Sequence, residues 1–375
     1  MLLIGYVQSP ACSGQLHPRH NLNCTAILAA SADVNKTSMS TPFISLIEHT
    51  RGNMAEVIHA GAIAVVDTRA KLIASAGDAN ALTFTRSTLK PFQALPFLQG
   101  GGVRHFGFTP PQIALLCASH NGEDIHVTQI DDMLQKIGTT YRTLQCGCHV
   151  PLLFSYGGQA VPAGLQYDER HNNCSGKHTG FVAHCMQHGL PLENHLDMTH
   201  PLQAAIRTQV ARVAQCAESD LVAGVDGCSA PNYAMPLSKL AFSFARLASG
   251  GEDSEFGEHF ELLSSAMTAH PEMVSGTGRN DLDFVRAGRG DWITKIGADG
   301  VQTIASKSRG QAVAIKIISG HMPALYAAAV VTLEQLAWLD DAQREILKPW
   351  GEKLLLNARG NPVGKIRAAF KLTMA

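Results

Sequence analysis

Ten residues, His171-Asn172-Asn173-Cys174-Ser175-Gly176-Lys177-His178-Thr179-Gly180, crowd a thiol, an amine, imidazole and side-chain amides beside two glycines. If a helix begins near Cys174, then Cys174, Lys177 and His178 stand at i, i+3 and i+4 and project from one face. That face suits ligation or catalysis better than packing. A core helix wants aliphatic residues there, and a surface helix has little use for a cysteine. The plain alternative is a capped helix start, with Asn173 or Ser175 as the N-cap.

Three further groups could join it. Arg86-Ser87-Thr88-Leu89-Lys90-Pro91 contains Ser-x-x-Lys, a pattern that alone is weak. Pro91 has no N–H, so a helix holding it begins at most about four residues earlier. Ser87 then sits at a helix N-terminus with Lys90 one turn on. A hydroxyl there has an amine within reach, and burial beside a cation such as Arg86 would lower that amine's pKa. Otherwise Ser87 is only an N-cap and Lys90 points to solvent. Ser119 and His120 lie on a short connection between two helices, where Ser119 or Asn121 could equally be a cap. Gly224-Val225-Asp226-Gly227-Cys228-Ser229-Ala230-Pro231 is a turn carrying an acid and a thiol. Cys228 is a candidate soft zinc ligand beside Cys174, although structural zinc sites usually show a tighter cysteine pair. Cys146-Gly147-Cys148-His149 lacks a matching second half and reads as structural.

The elements that must position these groups follow from pattern. Strands are expected over His59 to Val66 and Leu72 to Ala76, around a polar turn. Thr109-Pro110-Pro111-Gln112 opens a helix with a capping box. A second helix runs from about Glu123 to Ile137, where Ile130, Met133, Leu134 and Ile137 form an apolar stripe before Gly138. Helix continues through Phe181 to His188 until Gly189, and Pro201 opens another. Glu255 to Thr268 reads as helix, Trp292 to Ala305 as a hairpin turning at Ala298-Asp299-Gly300, and Gln311 to Ser319 as a strand. A long apolar helix then covers Pro323 to Leu339. Strands at both ends of the chain with helices between and after them argue for α+β, with distant strands sharing one sheet. Residues 1–40 show no sustained period and read as a loosely ordered extension; residues 41–375 carry the domain.

Bulk properties exclude several roles. The 375 residues are 45% hydrophobic and 16% charged, with a formal net charge of -1. Nothing in that balance recruits nucleic acid or an anionic membrane. Nine cysteines, an odd number in a large chain, do not make a disulfide-stapled secreted domain. The apolar start is too short for a signal peptide, and Glu334 and Gln335 break the longest apolar run. A cytoplasmic protein is expected.

Six ordered motifs carry a family resemblance. Arg86-Ser87-x-x-Lys90-Pro91-x-Gln93-Ala94, Ala118-Ser119-His120-x-Gly122-Glu123, Cys148-His149-x-Pro151, Asn172-Asn173-Cys174-Ser175-Gly176-Lys177-His178-x-Gly180, Gly224 to Pro231, and Met273-Val274-x-Gly276 resemble those of the Rhizobium-type, thermolabile L-asparaginases. The resemblance runs from about Phe43 to the Asn357-x-x-Gly360-x-x-Val363-Gly364 stretch. It implies a fold similar to serine β-lactamases and glutaminases, with helices on both sides of a sheet. It implies a site of two Ser–Lys pairs beside a zinc: Ser87 with Lys90, and Ser119 with Lys295 on the expected strand, where Lys295-Ile296-Gly297 loosely resembles the Lys-Thr-Gly strand of β-lactamases. The implied zinc ligands are Cys174, Lys177 and Cys228, and the implied substrate contacts are Arg86, His178 and Asp226.

On that resemblance the expected reaction is hydrolysis of L-asparagine to L-aspartate and ammonia, by a homodimer. Ser87 would attack and Lys90 act as base, a role worth typically ~10²–10⁴-fold in rate, while Ser119 and Lys295 relay the proton. Three alternatives stay open: a glutaminase-like or lactam hydrolase, a zinc-braced binding module without turnover, and a cysteine hydrolase using Cys174 with His178.

Overall fold

Along the strand Met54–Asp67, Ala62, Ala64 and Val66 point to one side and Ile63 and Val65 to the other, and all five are buried. A strand buried on both faces must lie inside a covered sheet. In the computed structural model, which describes residues 41–375, it lies near the middle of one. The extension expected over residues 1–40 lies outside the described residues.

The main antiparallel sheet has nine strands, the principal path running β10 (Lys353–Leu356), β11 (Pro362–Ala368), β1 (Ile44–Arg51), β2 (Met54–Asp67), β9 (Gln311–Ile317), β8 (Val301–Ser306), β7 (Trp292–Gly297). Off this path β3 (Leu72–Ala76) pairs with β2, and β12 (Thr373–Met374) pairs with β3. Strands from the two ends of the described chain therefore share one sheet, as the pattern predicted. A smaller sheet runs β4 (Leu82–Phe84), β6 (Pro231–Pro236), β5 (Val222–Val225).

Helices cover both faces of the large sheet. On one side the helix Leu237–Ser249 lays down Leu240, Phe244 and Leu247 at helical spacing, all buried with Ala62 and Ala64. On the other, Leu325, Ala328, Ala329 and Leu333 of the helix Met322–Gln335 pack against Ile63, Val65 and Ile315. Each fully buried Leu or Phe contributes roughly 1.5–3 kcal/mol, so both faces are held by apolar burial. The α+β expectation, with helices on both sides of the sheet, holds.

Most elements fall where the pattern put them. The helix Asp124–Ile137 buries Ile130, Met133, Leu134 and Ile137 and ends at Gly138 with φ of 80°. Gln112 accepts the Thr109 N–H at 3.0 Å at the start of the helix Pro110–Leu116. The last long helix stops at Gln335 rather than Leu339, because the chain turns through a positive φ of 55° at Ala337. Seven strands were not anticipated: β1, β4, β5, β6, β10, β11 and β12. Among the described residues, no helix is long and apolar enough to cross a membrane.

Two glycines set the packing beneath the site. A Cβ on Gly176 would lie 2.1 Å from the Leu115 carbonyl oxygen, and one on Gly180 would lie 2.8 Å from Leu116 Cδ2. These positions, one turn apart on the helix Ser175–His188, form a groove that seats the helix Pro110–Leu116. That close approach brings Asn173, the neighbour of Cys174, onto the Ala118-Ser119-His120 connection, where its carbonyl accepts the His120 N–H at 3.2 Å.

Candidate active site

Ser119 is the centre of the first cluster. Its Oγ lies 3.0 Å from Lys90 Nζ and 3.0 Å from Lys295 Nζ. All three are buried, at 3%, 1% and 0% exposure. Lys90 also donates to the Ala118 carbonyl and, at 3.4 Å, to the Asn173 carbonyl. The Ser119–Lys295 pairing thus has the expected geometry. The Ser87–Lys90 pairing does not: Lys90 turns its amine to Ser119, and the Ser87 hydroxyl makes no hydrogen bond among the described residues. The reason is local. Residues Arg86–Leu89 form a 3-10 helix before the short helix Lys90–Gln93, which alters the one-turn spacing assumed from an α-helix.

Lys295 sits on β7 and is surrounded by machinery that sequence reasoning did not single out. Burial drives its pKa from the usual lysine value down to about 7; Asp281 opposes that, and Lys90 and Arg279 reinforce it. Asp281 Oδ2 stands 3.7 Å from Lys295 Nζ, but the same carboxylate accepts the Ile296 N–H at 2.8 Å, the Thr294 hydroxyl at 3.0 Å and the Gln302 amide at 3.0 Å. Arg279 donates to the Ser119 carbonyl at 3.3 Å and to Asn121 Oδ1 at 3.0 Å. The only sequence signal for this pair was two charges in a glycine-flanked Arg279-Asn280-Asp281 run.

Arg86 carries strain that its neighbours hold in place. Its φ is 50°, a left-handed conformation uncommon for a side-chain-bearing residue. Asn232 clamps both ends of it, accepting the Arg86 N–H at 3.0 Å and donating to the Arg86 carbonyl at 3.0 Å. Gly297 leaves room for this turn, since a Cβ there would stand 3.0 Å from the Thr85 oxygen and 3.2 Å from Arg86 Cβ. The side chain pairs with Asp226 through Nε at 3.0 Å and Nη2 at 2.9 Å, and with Asp299 through Nη1. These residues, with Asn232 and Lys316, line a cleft of about 370 Å³. Arg86 and Asp226 come together as expected, but as each other's partners.

The second cluster joins the helix Ser175–His188 to the loop after β5. Lys177 Nζ donates to Cys228 Sγ at 3.0 Å, and the Cys174 thiol also hydrogen-bonds to Cys228. Cys228 is held well below the ordinary thiol range, first by that Cys174 bond and then by Lys177, while Cys174 is pushed well above it. The hydrogen-bonded pair is thus polarised, with Cys228 the more acidic sulfur. Burial works against the Lys177 ammonium, yet the two sulfurs and Asp226 raise its pKa. His178 is fully buried beside Cys228, whose sulfur is the partner its ring finds, and burial lowers its pKa to about 4. The two sulfurs, the amine and the adjoining imidazole form a donor set that fits a soft or borderline divalent metal.

The clusters are contiguous. Asn173, whose carbonyl accepts from Lys90 and from the His120 N–H, directly precedes Cys174. His120 itself is not free to act as a base. Its Nδ1 accepts the Gly122 N–H at 3.0 Å and its Nε2 meets Ser175 Oγ at 2.8 Å, whose hydroxyl is given to the Arg170 carbonyl.

A buried serine between two amines, a charged cleft and an adjoining thiol cluster together have the parts for amide hydrolysis. No curated protein matches the chain closely enough to count as a relative. The family description of L-asparaginase II, however, matches residues 47–368, which takes in every residue of both clusters. The chain belongs to the L-asparaginase II family and is an amidohydrolase acting on asparagine.

Proposed function

We propose that the chain hydrolyses L-asparagine to L-aspartate and ammonia by serine–lysine catalysis, with Ser119 as the activated hydroxyl and Lys295 as its base. The observation that carries this reading is the position of Ser119 Oγ, 3.0 Å from each of two lysine amines. Two ammonium groups would both donate to that oxygen and leave its proton nowhere to go. A neutral Lys295 accepts it, and burial favours the neutral form. The proton path then runs from Ser119 to Lys295, with Lys90 donating to the oxygen as charge develops on it. Attack of Ser119 Oγ on the amide carbon and collapse of the tetrahedral intermediate, with the Lys295 proton passing to the leaving nitrogen, release ammonia. Water, activated by the same lysine, then frees aspartate.

Substrate recognition falls to Arg86 and Asp226, which would exchange their mutual ion pair for the carboxylate and ammonium of the amino acid. Ser87, adjacent to Arg86 and without a hydrogen-bond partner among the described residues, is a further substrate-facing hydroxyl. Cys174, Lys177 and Cys228 would hold zinc, with His178 beside them. A bound zinc supplies a fixed positive charge and Lewis acidity to the site. A homodimer and a cytoplasmic location belong to the same proposal; they rest on the family likeness and on composition.

Rapid quenching with L-asparagine, followed by peptide mass spectrometry, tests the assignment. An aspartyl adduct on the peptide carrying Ser119 supports it, whereas an adduct on the peptide carrying Ser87 transfers the attack to that serine. L-Glutamine run alongside reads the substrate preference.

A further inference from the structure

Away from both clusters, three imidazoles meet at the far end of β1 and β2. His49 lies on β1 and His59 on β2, and since His59 pairs with Ile47 and His49 with Val57, the two are diagonal neighbours across one antiparallel pair. His321 ends the turn after β9 and caps the helix Met322–Gln335. The His59 and His321 rings stack with centroids 4.4 Å apart, and His49 stands 4.8 Å from His59 and 5.1 Å from His321. One ring nitrogen from each lies within 4.8 Å of the other two.

Packing does not account for this grouping. His49 Nε2 and His59 Nε2 are buried atoms with no hydrogen-bond partner, a state that is costly unless something fills it. The other nitrogen of His59, Nδ1, meets Ser319 Oγ at 2.8 Å. That outer contact is the kind that fixes a ligating imidazole with its Nε2 lone pair inward. Burial keeps the three rings below the ordinary histidine pKa, with His59 at about 4. Neutral imidazole is the form that binds metal.

We propose that His49, His59 and His321 form a metal site for a divalent ion of the zinc, nickel and copper class, separate from the thiol cluster. A tetrahedral zinc with bonds of about 2.0–2.1 Å sets its nitrogens about 3.3 Å apart, so the rings must close on the ion by small side-chain rotations. Two features oppose it. His321 Nδ1 accepts the Ala324 N–H at 3.2 Å, so coordination through Nε2 moves the ring proton to Nδ1 and gives up that long cap bond. Lys353 on β10 adds positive charge near His49 and His321. Three imidazoles leave at least one coordination position for water or another donor. The bound ion ties β1 and β2 to the start of the helix that covers them, so its effect is on the sheet and not on the chemistry at Ser119.

The test counts metal on the full chain. Wild type, His49→Gln and His59→Gln are dialysed against zinc, washed and assayed for bound metal. The proposal expects each variant to hold one equivalent less zinc than wild type, with asparagine hydrolysis by His49→Gln unchanged. Cobalt-loaded Cys228→Ser should keep visible d–d bands without sulfur charge transfer, and the added His49→Gln change should abolish them. Equal zinc in wild type and folded His49→Gln overturns the proposal, since His49 is half-buried and its replacement leaves the core intact. The difference between wild type and His49→Gln is read whether or not the thiol cluster binds zinc, so failure of that reading is separately visible.

Discussion

Lys295 and Lys177 are both buried, at 0% and 3% exposure, yet burial leaves them in opposite states. Lys295 is lowered to about 7 and Lys177 is raised above the usual lysine value. Around Lys295 the closest charges include Lys90 and Arg279, and the Asp281 carboxylate is spent on three other donors. Around Lys177 stand the two cluster sulfurs and Asp226, all of which favour its charged form. Desolvation acts on both amines; the neighbours decide which becomes a base and which a counter-ion.

Removing the first lysine or its serine should give the largest effect. Ser119→Ala and Lys295→Met are each expected to lower kcat/KM for asparagine by at least about 10³-fold, measured by ammonia release. Activity near wild type in either would dissolve the contrast. The second cluster is broken by Cys228→Ser, which removes the sulfur that Lys177 contacts. Zinc content should fall by one equivalent, and the cobalt form should lose its sulfur-to-metal absorption.

The pH dependence sharpens the comparison. A base with pKa about 7 is neutral above that value, so kcat/KM should rise as pH increases through about 7. Asp281 raises this pKa, so Asp281→Asn should move the ascending limb down, by about one unit. A limb that stays put would mean another group titrates. The same lysine gives stability a sign. Its folded pKa lies below the 10.5 of the free group, so the unfolded chain binds more protons between about 7 and 10.5 and stability rises across that window. The smallest effect concerns how the clusters are brought together. Gly176→Ala, with its Cβ forced toward the Leu115 carbonyl, should cost about 1–3 kcal/mol in denaturant melts. Gly180→Ala, meeting only the tip of Leu116, should cost less.

Much of this architecture was legible in the sequence, for physical reasons that can be named. The Trp292 to Ser306 hairpin announced itself by a turn at Asp299-Gly300, whose φ values of 56° and 78° favour those residue types. The stripe of Ile130, Met133, Leu134 and Ile137 admitted one face only. By contrast, Val222–Val225 and Pro231–Pro236 are short strands around a glycine-rich loop, and turn residues masked them. Lys90's destination was hidden for another reason. Sequence spacing offered it Ser87, and only the tertiary approach of the Ala118-Ser119 connection supplies the partner it uses. Asp281, Asn232 and Arg279 act through contacts across the fold, and no local period marks such residues.

The pairing of β1 with β11 has a consequence for how the molecule is made. Ile47 faces Ala368 and His49 faces Ile366, so a strand synthesised early is bounded by one synthesised more than three hundred residues later. Until that segment leaves the ribosome, β1 offers an open hydrogen-bonding edge with Ile44 and neighbouring Val57 and Ile58 exposed. Contacts so distant in sequence make folding slow. The nascent chain therefore spends its elongation with that edge of β1 uncovered, and the edge closes only when residues 362–368 arrive to pair with it.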